Sequence, residues 1–243
     1  MKFLVPLALS LSLAACGGTT GSTGDNTAAA APVAGTAAPA GQDWTQTVAR
    51  TAEGFVMGNP NAPIKLVEYG SRLCPTCKAF ADAGYKPLTE NYVKAGKVSF
   101  EFREFLVHGP ADMPPALLGT CVGTEPFFPL MEQMFANQPQ FTDKFAAAQQ
   151  ALQTAPPAQR FRAMADAMGL VDFVKQRGVP EAKAQACLTD AAEIDRLTKI
   201  TQDKGPGGDG TVAGTPTFLL NGKVAEGAIS WAQVEEALKK AGA

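Results

Sequence analysis

The residues of this chain that could do chemistry are two cysteines with C-x-x-C spacing, Cys74-Pro75-Thr76-Cys77, directly after an apolar segment. Sulfurs at this spacing can close a disulfide across one helical turn. If Cys74 caps a helix, the free N–H groups of the first turn and the helix dipole stabilise its thiolate. Pro75 suits the first helical position, where its missing N–H costs no hydrogen bond, and Thr76 keeps an N–H for the Cys74 sulfur. The motif predicts thiol–disulfide exchange, with Cys74 as nucleophile and Cys77 as the less accessible resolving thiol.

The segment before the motif, residues 64–69, is predicted to be a strand. The two-residue period of a strand places Ile64, Leu66 and Glu68 on one face. A carboxyl group on an apolar face has its charged form disfavoured, and Glu68 ends six residues before Cys74. We therefore expect Glu68 to exchange a proton with Cys77, the alternative being a solvent-facing glutamate at the strand end.

The remaining cysteines bear on the compartment and on a second bridge. The chain has five cysteines. If the motif pairs internally and Cys16 is modified, Cys121 and Cys187 are left, which is the even count expected in an oxidising compartment. We expect a structural disulfide between them, with a second redox relay or two free thiols as alternatives. A four-cysteine zinc site is disfavoured because neither cysteine has a closely spaced ligand partner.

The elements that must position these residues follow an α/β order. Short strands are predicted at 54–58, 64–69 and 98–105, with the C-x-x-C helix between the last two. Residues of about 111–205 contain no convincing strand and are predicted to be a helical insertion, whose stripe of large apolar residues is predicted to be core. This stripe comprises Phe127, Phe128, Met131, Met134 and Phe135. A hairpin turning at Asn221-Gly222 and a closing helix at 231–240 complete the order.

The N-terminal segment is predicted to lie outside the fold. Residues 1–15 combine a lysine with an apolar stretch too short to span a bilayer, and Leu13-Ala14-Ala15-Cys16 follows. This pattern resembles a bacterial lipoprotein signal, which implies cleavage before Cys16 and its acylation; a plain secretory signal or an uncleaved anchor is the alternative. Gly17 in place of aspartate favours the outer membrane if the source is Gram-negative. Residues 16–43 are predicted to be a flexible low-complexity tether, and residues 44–243 the folded domain.

Composition and charge limit the partners. The formal charge of −2 gives no basic field for nucleic acid. The only histidine, His108, follows a predicted strand end and is interpreted as a packing or hydrogen-bonding residue rather than a catalyst. We predict no metal and no cofactor, and we expect a monomer.

Two motifs together resemble a known family. With Cys74-Pro75-Thr76-Cys77 after a strand and Gly214-Thr215-Pro216-Thr217-Phe218 before a hairpin, the chain from about residue 45 resembles the DsbA-like disulfide oxidoreductases. The resemblance implies a thioredoxin fold with the helical insertion between its βαβ and ββα halves. It also implies a cis Thr215–Pro216 bond beside the redox pair, with the Thr215 backbone free to pair with an extended substrate.

The resemblance implies an extracytoplasmic enzyme that introduces disulfides into unfolded exported proteins. It also implies a periplasmic location, with the lipid anchor at Cys16, and recycling by a quinone-linked membrane oxidase of the DsbB kind. The strongest oxidases of this family have a histidine between the cysteines, whereas Pro75-Thr76 carries no charge, so we expect a milder potential of about −130 to −220 mV. A reductase or isomerase using the same pair, or a non-catalytic binding lipoprotein, is the alternative.

Overall fold

A computed structural model of the chain describes residues 30–243. The predicted signal peptide at 1–15, the lipidation site Cys16 and the first part of the predicted tether lie outside the described residues. Within the part that is described, no helix is long and apolar enough to cross a membrane.

The described strands form one six-stranded sheet in the order β1-β2-β4-β3-β5-β6. The strands are β1 (Val48–Arg50), β2 (Phe55–Met57), β3 (Ile64–Gly70), β4 (Val98–Glu104), β5 (Thr217–Leu220) and β6 (Lys223–Val224). β3 and β4 run parallel, from the pair Ile64↔Val98 to the pair Gly70↔Glu104, and β5 is antiparallel to β3. The chain segments that follow β3 and β4 therefore leave the sheet at the same edge.

The two faces of β3 enter different parts of the core. Ile64 and Leu66 belong to the main cluster, and Val67 and Tyr69 to a smaller one on the other face. Glu68 lies on the face of Ile64 and Leu66, as the two-residue period predicts, and it is fully buried. Because both faces are covered, the central strand places a carboxyl group inside the protein.

The helix after β3 is α1 (Pro75–Pro87), and it continues as a π-helical turn, Leu88–Val93. Pro87 ends the regular helix, as expected from its missing N–H. Gly84 lies inside the helix without interrupting it. A Cβ at Gly84 would lie 3.0 Å from the ring of Trp231, so the glycine allows the closing helix α10 (Trp231–Lys240) to approach.

Helices fill the chain between β4 and β5, as predicted. They are α2 (Met113–Thr120), α3 (Thr124–Ala136), α4 (Gln138–Thr142), α5 (Phe145–Thr154), α6 (Arg160–Met168), α7 (Leu170–Lys175), α8 (Glu181–Cys187) and α9 (Ala191–Lys204). Many of their apolar side chains form a second core cluster, whereas most of the α3 stripe packs into the main cluster against helix α1 and strand β4. The predicted stripe of α3 is buried throughout.

The hairpin between β5 and β6 turns at Asn221 and Gly222, as predicted. Their φ angles are 50° and 81°. A two-residue hairpin turn with both central residues at positive φ matches the right-handed twist of the strands, and Asn-Gly is the pair that adopts it at least cost.

Residues 30–43, the described part of the segment predicted to be a flexible tether, lie against the domain, and we call them the N-terminal strap. The Ala30 N–H donates to the Lys240 carbonyl over 2.9 Å, and the Val33 N–H to the Gly242 carbonyl over 2.7 Å. Val33 also packs against the main core. The two hydrogen bonds are made by the backbone, so the amino-acid composition of this segment gives no indication of them.

The strap also passes close to one end of the two central strands. The carbonyl of Thr36 lies so close to Gly96 that a Cβ on that glycine would be 2.1 Å away. Gly96 lies two residues before the start of β4. The strap therefore passes the edge where β3 and β4 begin, whereas Cys74 lies beyond the edge where they end.

Candidate active site

The cysteines of the C-x-x-C motif lie at the N-terminus of α1 as free thiols. Cys74 is the N-cap residue and Pro75 the first residue of the helix. The Cys77 N–H donates to the Cys74 sulfur over 3.5 Å. Cys74 keeps 6% of its surface exposed and Cys77 none, so an incoming sulfur reaches Cys74 first.

The loop before β5 lies opposite the Cys74 sulfur. The Thr215–Pro216 peptide bond is cis, and the Cys74 thiol donates to the Thr215 carbonyl oxygen over 3.2 Å. The buried Thr215 hydroxyl has no hydrogen-bond partner within residues 30–243. Beside Pro216 lies an open cleft of about 270 Å³, at whose edge Ile229 is 53% exposed.

The surroundings of Cys74 lower the pKa of its thiol to about 5. The largest contribution is a hydrogen bond from the Cys77 thiol, and the backbone N–H groups of Cys77 and Thr76 add to it. Burial acts in the opposite direction because it disfavours the anion. At neutral pH the reduced site therefore holds Cys74 as a thiolate.

Cys77 and Glu68, in contrast, favour their protonated forms. Burial raises the pKa of the Cys77 thiol well above its ordinary value, and the hydrogen bond to Cys74 adds to the rise. Burial also raises the pKa of Glu68. One Glu68 oxygen lies 3.4 Å from the Tyr85 hydroxyl, which donates to it, and the other has no partner among the described residues. A protonated carboxyl with one free oxygen can supply a proton to Cys77 when that sulfur is released.

Gln138, which the sequence did not identify, fixes the backbone of the redox loop. Its side-chain amide donates to the carbonyl of Arg72 over 3.0 Å and to that of Cys74 over 2.9 Å. The residue is 4% exposed and begins α4. Through Gln138, the helical insertion holds the backbone at the start of α1.

A second group of polar contacts reaches the loop from the segment after β4. Asp112 accepts a hydrogen bond from the Ser71 hydroxyl over 2.6 Å, and Ser71 accepts from the Leu73 N–H over 3.0 Å. His108 contacts the same carboxylate: its ring Nδ1 is 3.0 Å from an Asp112 oxygen. The hydrogen-bonding role predicted for His108 is therefore present, and its partner is linked to the redox loop.

A buried ion pair lies behind the loop. The Arg72 guanidinium donates to Glu104 over 2.8 Å, and both side chains are almost fully buried. The guanidinium also packs on the backbone of α2, since a Cβ at Gly119 would lie 2.2 Å from it. Sequence reasoning missed this pair. The signal available was an arginine two residues after β3 and a glutamate at the last position of β4, because these two parallel strands end at the same edge of the sheet.

The other predicted site residues lie elsewhere. Cys121 and Cys187 are joined in a disulfide between the ends of α2 and α8. The structure therefore brings together Cys74, Cys77, Glu68, Thr215 and Pro216, while the second cysteine pair belongs to the insertion. Among residues 30–243, no group of three or more histidine, cysteine, aspartate or glutamate residues is placed to hold a metal ion.

Comparison with known proteins gives a consistent set of similarities. The family model described as thioredoxin matches residues 50–240. A Rickettsia bellii relative whose name describes a protein-disulfide oxidoreductase is 26% identical over 170 residues, which cover 69% of this chain and 57% of the relative. Disulfide bond formation protein D of Bacillus subtilis is 22% identical over 188 residues, which cover 76% of this chain and 75% of that protein.

Among solved structures, the chain is similar to the crystal structure of a protein-disulfide isomerase from Novosphingobium aromaticivorans. The TM-score is 0.72 and the sequence identity 31%. The superposition covers 78% of this chain and 97% of that one. The similarity therefore includes nearly the whole of a separately solved protein.

Proposed function

The chain belongs to the thioredoxin family, in its DsbA-like thiol:disulfide oxidoreductase branch, and we propose that it acts outside the cytoplasm as an oxidase that introduces disulfides into exported proteins. The observation that carries this proposal is that the site shifts the pKa values of its two thiols in opposite directions. The site lowers the pKa of Cys74 to about 5 and raises that of Cys77. A site that stabilises the Cys74 thiolate favours its own reduced form and hence the oxidation of its partner.

Exchange begins with the cysteines joined in a disulfide. A substrate thiolate attacks the Cys74 sulfur, the Cys74–Cys77 bond breaks, and Cys77 leaves with the electron pair and takes a proton from Glu68. A second substrate thiolate then attacks the substrate sulfur of the mixed disulfide, and Cys74 leaves as a thiolate. Two electrons pass from the substrate to the enzyme, and the substrate gains one disulfide.

The loop at Thr215 is the proposed docking site for the substrate backbone. An extended peptide beside Cys74 can pair with the Thr215 backbone as a short added strand. The cleft beside Pro216 and the exposed Ile229 offer an apolar surface for neighbouring substrate side chains. An unfolded chain with free cysteines supplies both the extended backbone and the apolar side chains.

The cell context is part of the proposal. An exported protein acylated at Cys16 would act at the periplasmic side of a bacterial membrane, with the outer membrane favoured by Gly17. A quinone-linked membrane oxidase would remove the two electrons left on the cysteines.

Replacement of Cys16 by alanine tests the anchor, with palmitate labelling and membrane fractionation as the two readouts. The proposal requires that the variant lose both the label and its place in the membrane fraction.

The direction of exchange is tested with purified protein and a reduced, unfolded substrate protein. We expect the oxidised protein to form disulfides in the substrate, and Cys74→Ser and Cys77→Ser each to abolish this because neither variant can hold the disulfide. Given a disulfide-bonded substrate instead, the Cys74 thiolate of Cys77→Ser attacks it, and the mixed disulfide should accumulate on non-reducing gels because no second cysteine releases it. A glutathione redox titration of the wild type measures the potential. A value near the −270 mV of thioredoxin would contradict the oxidase role.

Isomerase activity is a second candidate because the related protein from Novosphingobium aromaticivorans carries that name. An isomerase starts from the reduced form and repairs wrongly paired disulfides. Reactivation of a scrambled, fully oxidised substrate separates the roles: an isomerase restores its activity without added oxidant, whereas an oxidase acts only on the reduced substrate.

A further inference from the structure

We propose that His108, held by Asp112, gives the redox centre a pH-dependent positive charge from outside the C-x-x-C motif. This inference rests on the proposed redox function and deepens it. The motif itself has Pro75 and Thr76 between the cysteines and therefore no charge there. His108 is the only histidine of the chain, and it comes from a different part of the sequence.

The fold brings His108 to the redox edge. β3 and β4 end side by side, with Gly70 paired to Glu104. The segment 71–74 leads from β3 to Cys74, and the segment 105–112 leads from β4 to α2. The two segments leave the sheet at the same edge, so a side chain on the second can act on a sulfur at the end of the first.

A chain of hydrogen bonds connects the two segments. Asp112 accepts from the backbone N–H of His108 over 2.6 Å and from the Ser71 hydroxyl over 2.6 Å. The His108 Nδ1 lies 3.0 Å from one Asp112 oxygen and 3.2 Å from the other. Ser71 accepts from the Leu73 N–H over 3.0 Å. The imidazole is thus held on a carboxylate that also supports the backbone before Cys74.

The imidazole can change its charge in place. Its side chain is 35% exposed, whereas that of Asp112 is 3% exposed, so protons from solvent reach the ring while the carboxylate stays fixed. With Nδ1 against a carboxylate, Nδ1 carries a hydrogen, and Nε2 is the nitrogen that gains or loses the second proton. Protonation therefore changes the charge without breaking the contact to Asp112.

The charges around His108 favour the cation. The hydrogen bond to Asp112 raises the pKa of His108, and the charges of Asp112 and of the Cys74 thiolate add to the rise. Helix α5, which packs against the segment after His108, has no charged residue in Phe145–Thr154. The charged groups of the neighbouring elements include Lys144, at the N-cap of α5, and Asp195 of α9. They also include three ion pairs, Arg72 with Glu104, Lys199 with Asp203, and Lys204 with Asp209.

The effect on the redox pair follows from reciprocity. If the Cys74 thiolate favours protonation of His108, protonated His108 favours the thiolate by the same free energy. The disulfide form has no anion at Cys74, so the charge stabilises the reduced form alone and makes the protein more oxidising. Because the imidazole is protonated only below its pKa, the effect is present at pH values below the pKa of His108. It is lost as pH rises through that pKa.

The test uses full-length protein without a histidine tag, because the single imidazole then gives one NMR signal. We expect the pKa of His108 to be higher in the reduced protein than in the oxidised protein. Equal values in the two redox states overturn the inference. This measurement needs no variant, so a folding defect cannot obscure it.

Variants extend the test to the redox equilibrium. At a pH below the His108 pKa, we expect His108→Gln to shift the glutathione equilibrium toward the oxidised protein by about 3- to 5-fold, the size of one partly exposed charge interaction. At higher pH the variant and the wild type should converge. His108→Lys should keep the more oxidising equilibrium at both pH values. An effect of His108→Gln that is the same at both pH values overturns the inference.

Lys78 offers a matched control. It is the next residue after Cys77 and pairs with Asp82, so Lys78→Gln removes a positive charge beside the motif and leaves His108 in place. Its effect should not vary between the two pH values. Oxidation of the reduced substrate by the wild type is measured in the same buffers: absence of that activity defeats the proposed function, whereas an active wild type with an unchanged His108 pKa defeats only this inference.

Discussion

The side-chain amide of Gln138 donates a hydrogen bond to the backbone carbonyl of Cys74, 2.9 Å away. Gln138 belongs to the helical insertion, and Cys74 is the N-cap residue of the redox helix. The insertion therefore holds the residue whose backbone geometry sets the environment of the reactive sulfur.

Replacement of Gln138 by methionine keeps the approximate volume but removes the donor. We expect a loss of about 1–3 kcal/mol in the free energy of unfolding, because two buried carbonyl groups lose their partner. Denaturant unfolding measures this loss. Gln140→Met, at an exposed position of the same helix, should change stability by less than about 0.5 kcal/mol. Equal effects of the two variants would argue against the contact.

The Cys74 thiolate should make the stability of the reduced protein pH-dependent. Its pKa is lowered to about 5 from an ordinary value of 9.0. Such a group contributes stability that is present above the unfolded pKa and lost as pH falls through the folded one. The reduced form should therefore gain in melting temperature over the oxidised form as pH rises from 5 toward 9. Calorimetry of both forms at pH 5 and pH 8 measures this, and a constant difference would contradict it.

The same pKa predicts how Cys74 reacts. Alkylation of the reduced protein should show a midpoint near pH 5 for Cys74, and Cys77 should stay unmodified in the folded state. Peptide mapping after alkylation assigns the modified sulfur. A midpoint near that of a free thiol in water would remove the basis for an oxidase.

Replacement of Glu68 by glutamine should affect both stability and rate. The raised pKa of Glu68 means that its contribution to stability is present below the unfolded pKa and lost as pH rises. Glu68→Gln should therefore gain stability relative to the wild type between pH 4 and pH 8. Exchange should slow by about 10²-fold, the lower end for a lost general acid.

The exposed pair of Lys86 and Glu90 supplies the control for Glu68. Glu90→Gln should leave the rate unchanged and shift stability by less than about 1 kcal/mol. Stopped-flow fluorescence of exchange and urea unfolding at both pH values give the two readouts. A Glu68→Gln variant with the wild-type rate would mean that Cys77 takes its proton from another source.

The bridge between Cys121 and Cys187 should act on stability alone. It closes a loop with a sequence separation of 66 residues, which in the chain-entropy model stabilises by about 4 kcal/mol. Replacement of both cysteines by serine should lower stability by about that amount and leave the redox potential of the Cys74–Cys77 pair unchanged. If the folded double variant lost exchange activity, the bridge would be a second redox relay.

The parts of the fold that follow local rules could be predicted from the sequence. The strand before the motif, Cys74 at a helix start, Pro75 after it and the Asn221-Gly222 turn each depend on a few neighbouring residues. The buried face of Glu68 follows from the two-residue period of the same strand. The helices between β4 and β5 follow from apolar spacing interrupted by glycine and proline.

The contacts that complete the site join residues far apart in the chain. Gln138 and Cys74 are 64 residues apart, Ser71 and Asp112 are 41 apart, and Arg72 and Glu104 are 32 apart. A single sequence has no signal for such pairs, because the register of the helical insertion on the sheet decides them. The contacts of the N-terminal strap gave no sequence signal for another reason: they are made by the backbone, which composition does not describe.

The course of the strap has a consequence for orientation. It crosses the edge where β3 and β4 begin, whereas Cys74 lies beyond the opposite edge, about 20 Å farther along a seven-residue strand. The strap contact near Gly96 and the reactive sulfur therefore lie at opposite ends of the two central strands. An unfolded polypeptide can consequently approach Cys74 without displacing the strap.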